Sequence, residues 1–198
     1  MISLEFRILC IAVAFWAASS ALAQDNSLYT EAASDDASFV RFVGFQGGTL
    51  ASFAGKTFDL SLVDAGAYIP VSSSTLEDVP AGRFQTVLRK VDGSVVTVVE
   101  AARNRQTKVF LFLINTTQQP LELRLADNSA TVIEAVPSGE SGQRGVNPVS
   151  VSLGVFAQGA DNPLGAFDVQ LQRGQNLSFV ATEQGIELIE NSFGPVAK

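Results

Sequence analysis

The sequence predicts an all-β protein: two tandem antiparallel β-sandwich domains of the immunoglobulin-like type after a cleaved signal peptide. Apolar and polar residues alternate with a period of two in the segments Phe58–Leu62, Leu121–Leu125, Val149–Leu153 and Phe167–Leu171. This period turns one face of a strand toward a core and the other toward solvent. Turn-forming pairs recur between the apolar segments, at Asp92-Gly93, Asp127-Asn128, Asp161-Asn162 and Arg173-Gly174. Short alternating strands with frequent turns are typical of antiparallel sandwiches.

Residues 1–23 have the pattern of a secretory signal peptide. Arg7 precedes an uncharged and mostly apolar run from Ile8 to Ala23, which is shorter than the roughly 20 residues that a transmembrane helix needs. Ala21 and Ala23 form a small-residue cleavage site before Gln24. We therefore expect an exported protein with no transmembrane span in its mature chain.

A polar leader is predicted over residues 24–38. It carries acidic residues among Ala and Ser and shows no sustained apolar period. Such a segment at a chain terminus is typically poorly ordered, so we expect a mobile arm.

The boundary between the two predicted domains lies in a linker at residues 103–106. The linker separates two strongly apolar strands, Val95–Val99 and Val109–Ile114. The first sandwich is therefore predicted over residues 39–102 and the second over residues 107–198, near the lower size limit of independent folding. Similar passages at residues 77–82 and 134–139 hint at an internal duplication, although a Val-Pro turn at the end of a strand explains most of that similarity.

The strand at Val109–Ile114 is apolar at every position, so both of its faces must be covered. The cover is either the neighbouring domain or a partner protein. We favour the neighbouring domain, because most continuous apolar strands are central strands.

The composition argues against an enzyme. The chain has no His, which removes the usual base for a Ser nucleophile and the commonest zinc ligand. Its one Cys, Cys10, lies inside the predicted signal peptide, and the passage Ser138–Gly142 does not have the spacing of a nucleophile elbow. We predict no catalytic residue, no metal site and no cofactor.

The charge and the aromatic residues restrict the possible partners. A net charge of −7 argues against nucleic acid, which is bound by clustered Lys and Arg. It also repels acidic polysaccharides, so any contact with one would need a local basic patch. After the signal peptide the chain has no Trp and only Tyr29 and Tyr68 as Tyr residues, which does not favour a sugar-stacking platform.

Two basic spots remain as candidates for docking a partner protein. The first is the linker, with Arg103 and Arg105, followed by Lys108. The second is a predicted polar loop over residues 139–148, which carries Arg144 and Asn147. Loops on a rigid scaffold often carry binding residues, although a solvated linker and an ordinary turn explain the same residues.

The order and spacing of several segments resemble the alginate O-acetylation accessory protein family AlgF. The segments that carry the resemblance are Ser27–Tyr29, Ser38–Arg41, Arg103–Gln106 with the following strand to Asn115, Leu121–Asp127 and Asn147–Val149. The resemblance extends over nearly the whole secreted chain, and the second half carries most of it.

This resemblance implies a periplasmic, non-catalytic adaptor that is required for adding acetyl groups to mannuronate residues of the exopolysaccharide alginate. The implied partners are periplasmic acetyltransferase subunits and a membrane-bound O-acyltransferase. Two alternatives stay open: a polysaccharide-binding module that contacts alginate itself, and an acetyl-carrying intermediate of the same pathway.

Overall fold

The computed structural model describes residues 33–46, 48–101 and 108–197, and it confirms the all-β class. The strands are β1 (Ala37–Val43), β2 (Leu50–Phe53), β3 (Lys56–Asp59), β4 (Tyr68–Ser72), β5 (Phe84–Arg89), β6 (Val95–Glu100), β7 (Val109–Asn115), β8 (Leu121–Leu125), β9 (Thr131–Val136), β10 (Ser141–Val146), β11 (Ser150–Ala157), β12 (Gly165–Gln170), β13 (Asn176–Thr182) and β14 (Gly185–Glu190). Short 3-10 turns lie at Leu60–Leu62 and Ser73–Thr75. Within the described residues, no helix is long and apolar enough to cross a membrane.

The first half of the fold consists of strands β1–β6. Four of them form a sheet in the order β4-β1-β5-β6, and β2 pairs with β3 in a separate hairpin. The hairpin packs over one face of the sheet, where Phe58 meets Val40, Phe42 and Val87 in an apolar core. The second layer of this half is therefore only two strands wide.

The second half consists of strands β7–β14 and is a sandwich of two four-stranded sheets. Their orders are β10-β7-β13-β14 and β12-β11-β8-β9. The core between them contains Leu111, Leu113, Leu123, Val155 and Phe179, all almost completely buried. In the alternating strands β8 and β12, the inward residues are Leu121, Leu123 and Phe167, as the sequence predicts.

The sheet of the first half and one sheet of the second half have the same strand order. In each sheet, the strand that comes first in the chain, β1 or β7, lies between an antiparallel edge strand, β4 or β10, and a parallel neighbour, β5 or β13. That neighbour pairs antiparallel with the other edge strand, β6 or β14. Each sheet thus contains one parallel pair, β1 with β5 and β7 with β13, where the sequence analysis expects antiparallel pairing. The similar passages at residues 77–82 and 134–139 precede β5 and β10, which are not equivalent strands in this comparison. The topological repeat therefore does not depend on those passages.

The two halves pack through the outer faces of their similar sheets. Val43, Leu88 and Val98 of the first half form one buried cluster with Ile114, Val180 and Ile189 of the second half. Ile114 is on the apolar strand β7, and its opposite face, with Leu111 and Leu113, points into the sandwich core. The prediction that the neighbouring part of the chain covers the second face of this strand is confirmed.

Two predicted segment boundaries differ from the structure. The alternating segment Phe58–Leu62 is a strand only to Asp59, because the Asp59 side chain accepts a hydrogen bond from the Ser61 N–H (2.9 Å) and begins a 3-10 turn. The predicted leader reaches residue 38, whereas β1 begins at Ala37. The signal peptide and the linker at 103–106 lie outside the described residues, and the division into two independent domains stays a prediction.

The predicted polar loop at 139–148 is wrong, because most of it is the edge strand β10, paired with β7. Its polar and Gly-rich composition indicates a loop in sequence, but an edge strand also exposes polar side chains. Gly142 is required for a packing reason: a Cβ there would lie 2.7 Å from the side chains of Ile133 and Val136 on β9.

Candidate functional site

The most unusual polar residue of the fold is Arg41, a completely buried cation in the middle of β1. Its Nε donates to Thr86 Oγ1 on β5 (2.9 Å) and its Nη2 to Glu100 Oε1 on β6 (3.3 Å). Its guanidinium also lies over the ring of Tyr68, 4.4 Å from the centroid. A buried charge is tolerated only when it is paired and its donors are satisfied.

Glu100 is equally buried, and other first-half residues surround its carboxylate. The Tyr68 hydroxyl donates to it from 2.7 Å and the Thr86 hydroxyl from 2.7 Å. Thr86 thus accepts from Arg41 and donates to Glu100, which joins the two charges through a neutral group. Hydrogen bonds to the charged form stabilise a carboxylate in a buried position.

The second half completes this cluster from across the junction. Arg41 Nη1 donates to Asn191 Oδ1 (2.9 Å) and Arg41 Nη2 donates to Ser178 Oγ (3.1 Å). The Ser178 hydroxyl in turn donates to Asn191 Oδ1 (2.8 Å). We call the six residues Arg41, Thr86, Glu100, Tyr68, Ser178 and Asn191 the junction cluster.

The C-terminal tail, residues 192–197, also crosses from the second half to the first. The Tyr68 N–H donates to the Ser192 carbonyl (2.9 Å), and the Gly194 N–H donates to the Tyr68 carbonyl (2.8 Å). Further along, the Ala197 N–H donates to the Pro70 carbonyl (2.8 Å). The tail therefore covers the outer edge of β4, directly beside the junction cluster.

The chemistry of the junction cluster favours a structural role. Its charges are compensated inside the protein, and its hydroxyl groups are held by their own partners. Within the part of the chain that the structure describes, no group of three or more His, Cys, Asp or Glu side chains could hold a metal ion. The cluster fixes how the two halves sit together.

The predicted docking residue Arg144 lies on the edge strand β10 and is exposed. It pairs with Leu111 of β7 in the sheet register. An open groove beside it is lined by residues 131–137 and 140–144, from β9, β10 and the turn between them. A charge at this position is accessible to a partner.

Asn147 follows β10 and connects the two predicted basic spots. Its Oδ1 accepts a hydrogen bond from Lys108 Nζ (2.5 Å), and Val146 pairs with Val109 directly beside them. The structure thus brings Lys108 of the linker region next to the β10 end. Arg103 and Arg105 lie outside the described residues.

Several Asp residues organise exposed turns. In Asp59, Asp92 and Asp127, hydrogen bonds from the Ser two positions later lower the pKa of the carboxyl group. Hydrogen bonds from the side chains of Ser34 and Ser72 lower the pKa of Asp36 to about 2. These turns account for the Asp92-Gly93 and Asp127-Asn128 pairs, and Asn128 adopts a left-handed conformation with a φ of 61°.

The junction cluster is not among the sites predicted from the sequence, although the sequence contains a signal for it. Arg41 interrupts the apolar run Phe39–Val43, and Glu100 ends the apolar run that begins at Val95. A charge within a strand that is otherwise apolar on both faces predicts a buried, paired group.

Comparisons with known proteins agree with the resemblance in the sequence. A family model described as "Alginate O-acetyl transferase AlgF" matches residues 9–178. The "Alginate biosynthesis protein AlgF" of Pseudomonas fluorescens is 26% identical over 84% of this chain and 82% of its own length. The protein of the same description from Pseudomonas putida is 25% identical over 87% of this chain and 83% of its own length.

A solved structure of the C-terminal domain of AlgF from P. aeruginosa covers 42% of this chain and 96% of its own, with 25% identity and a TM-score of 0.35. The family match, by contrast, runs through both halves of the fold. This chain belongs to the AlgF family.

Proposed function

We propose that this chain is a non-catalytic periplasmic adaptor of the alginate O-acetylation machinery, required for adding acetyl groups to mannuronate residues. Membership of the AlgF family carries the proposal, because the matching family and its relatives are described by alginate acetylation and alginate biosynthesis. The periplasmic location rests on the signal-peptide pattern of residues 1–23.

The residues support an adaptor rather than an acetyltransferase that works alone. Acyl transfer through Ser needs a base within hydrogen-bond reach, and His, the usual base, is absent from the chain. The buried carboxylate of Glu100 already accepts hydrogen bonds from Arg41, Tyr68 and Thr86. Arranged in this way it stabilises the fold and is shielded from a substrate.

The surface that we propose for docking is the basic end of β10, formed by Lys108, Arg144 and Asn147. It is a local cationic site on a protein with a net charge of −7. Arg bonds carboxylates and carbonyls with a planar fork and is enriched in interfaces. Arg103 and Arg105 belong to this proposal through their closeness in sequence to Lys108.

The decisive experiment deletes the gene and analyses the exported polymer. We expect alginate that is still made and exported but lacks acetyl groups, and we expect the unmutated gene to restore them. The purified protein should show no turnover of model acetyl esters. Normal acetylation in the deletion strain would overturn the pathway, and a turnover that one Ser substitution abolishes would overturn the adaptor role.

The docking surface is tested separately with Arg144→Glu. We expect weaker capture of acetylation subunits in a pull-down, by about 1–3 kcal/mol if the side chain becomes buried in the interface, with an unchanged melting temperature. Arg83→Glu is the matched control, since Arg83 is exposed in the first half. Equal capture by both variants would exclude Arg144 from the interface.

A further inference from the structure

Strand β6 is the last strand of the first-half sheet, and no strand pairs with its outer edge among the described residues. Strand β10 reaches this edge at one end, where Ser141 Oγ donates to the Val99 carbonyl (2.8 Å). The Lys90 N–H donates to the Ser94 carbonyl (2.8 Å) where the β5–β6 hairpin begins. Because hydrogen-bonded pairs alternate along an antiparallel ladder, Val96 and Val98 direct their backbone groups toward β5. Val95, Thr97 and Val99 therefore direct their N–H and C=O groups outward.

The side chains of these same outward-facing residues are exposed. Val95 is 51% and Val99 is 52% exposed, and Thr97 between them is exposed as well. They lie on the inner face of the sheet, in register with Val87 and its neighbours on β5. The covering hairpin packs over β1, β4 and β5, so it leaves the inner face of β6 open.

The second half shows how the equivalent position is covered there. Strand β14 occupies the place of β6 in the similar sheet, and its Ile186 packs against the sandwich core. The second sheet reaches over it, because Gly165 of β12 lies close to Ile186. Among its described residues, the first half has no pair of strands corresponding to β11 and β12, and this leaves Val95 and Val99 exposed.

An open edge with exposed apolar side chains attracts another strand, and proteins usually protect such edges. The tail covers the edge of β4, and β9 is irregular in its pairing with β8. In contrast, β6 pairs with β5 without a bulge from Val95 to Glu100 and contains no Pro, Lys or Arg. Strand β6 therefore lacks the bulge, the Pro and the Lys that protect many edge strands.

The sequence of the edge identifies the strand that fits it. Val95-Val96-Thr97-Val98-Val99 reads the same in both directions. If a second copy of β6 is placed antiparallel to it, with a two-fold axis at Thr97, Thr97 faces its own copy and Val95 faces Val99 of the other copy. The residues whose N–H and C=O groups point away from β5 then face each other, which the hydrogen bonds of an antiparallel ladder require. Their side chains form β-branched pairs, which are favourable across strands.

The charges on this face permit the same arrangement. Next to Val95 in the sheet lies Arg89, and next to Val99 lies Gln85. When Val95 pairs with Val99 of the other copy, these two residues lie between Arg89 of the first copy and Gln85 of the other. No two like charges are therefore neighbours across the new strand pair. The Val99 carbonyl also accepts a hydrogen bond from Ser141 Oγ (2.8 Å), and it keeps a second lone pair for the new ladder.

We propose that β6 is a dimerisation edge, at which two copies of this chain join their first-half sheets into one continuous sheet around a two-fold axis at Thr97. This interface is self-complementary, as a two-fold contact must be. It lies on the first half, and its existence does not depend on the proposed role in acetylation.

The test introduces charge at the axis. The exported chain, without residues 1–23, should show a dimer that grows with concentration in sedimentation or light-scattering measurements. Thr97→Lys and Thr97→Glu each place like charges directly opposite one another, so each variant alone should dissociate more than about tenfold more readily. Mixed in equal amounts, the two variants should form a heterodimer, because Lys then faces Glu.

Thr131→Lys is the matched control, since Thr131 is an exposed Thr on the edge strand β9. It should dimerise like the unmutated chain. A chain that stays monomeric at every concentration would overturn the proposal. Dimers that survive in both Thr97 variants, or an equal loss in Thr131→Lys, would also overturn it, and circular dichroism establishes that each variant is folded.

Discussion

Replacing Glu100 with Gln tests how much the buried ion pair of the junction cluster contributes to stability. Glu100 and Arg41 are completely buried, and Arg41 Nη2 lies 3.3 Å from Glu100 Oε1. Their attraction at this distance is about 5 kcal/mol with an effective dielectric constant of about 20. Gln keeps the shape of the side chain but leaves a buried guanidinium with neutral acceptors only. We expect the free energy of unfolding to fall by about 3–5 kcal/mol, the usual cost of removing one charge from a buried pair.

The assay is urea unfolding followed by far-UV circular dichroism, with the midpoint and slope measured for each variant. Glu190→Gln is the control for a solvated carboxylate, because Glu190 is exposed, and it should change stability by less than about 0.5 kcal/mol. Glu122→Gln removes a carboxylate whose pair with Arg124 retains some exposure, 11% and 12% of the two side chains. It should have an intermediate effect.

A double-mutant cycle then shows whether Arg41 causes the loss. In the Arg41→Met background there is no buried guanidinium, so Glu100→Gln should cost less than in the unmutated protein. Contacting residues commonly couple by about 0.5–3 kcal/mol. An equal cost in both backgrounds, or a cost below about 1 kcal/mol in the unmutated protein, would refute the reasoning.

Three further predictions concern the edges and turns. Gly142→Ala should destabilise the protein by about 1–3 kcal/mol in thermal melting, because its Cβ would lie 2.7 Å from Ile133, and Gly145→Ala, with its nearest contact at 3.3 Å, should cost less. Deleting residues 192–197 removes three backbone hydrogen bonds to β4 and should cost about 1.5–4.5 kcal/mol in urea unfolding, since each such bond contributes about 0.5–1.5 kcal/mol. The pKa of Asp36 is lowered from 3.8 to about 2, so its stabilising effect is complete above pH 3.8 and disappears as the pH falls through about 2. The stability difference between the unmutated protein and Asp36→Ala should shrink over that range in acid titrations.

Each of these predictions has a result that would contradict it. Equal melting temperatures for the two Gly variants would show that β9 does not approach β10 closely. A tail deletion as stable as the full chain would show that the edge of β4 needs no cover. A stability difference for Asp36→Ala that persists at pH 2 would exclude ionisation as the source of its effect.

Local patterns in the sequence predicted the parts of this fold that depend on neighbouring residues. Period-two alternation indicated strands such as Leu121–Leu125, because each strand separates a buried face from a solvated one. The apolar strand β7 indicated that both of its faces are covered, since no polar side chain along Val109–Ile114 can face water. The turns were also predictable, because Asp and Asn side chains bond nearby backbone groups and Gly adopts a positive φ without strain. These features require only the order of residues along a short segment.

Pairing between distant segments decided the rest. The polar segment at Ser141–Val146 is a strand because β7 offers it an edge, and the segment alone has the composition of a loop. Arg41 and Asn191 are 150 residues apart in sequence and hydrogen-bonded in the fold, and Lys108 meets Asn147 across the end of the sheet. Such contacts depend on which sheets stack and in which register, and periodicity within one strand contains no information about either. The sequence therefore determined the strands with an alternating or continuous apolar pattern, and the tertiary structure determined that Ser141–Val146 is a strand, which charges are buried and which edge stays unpaired.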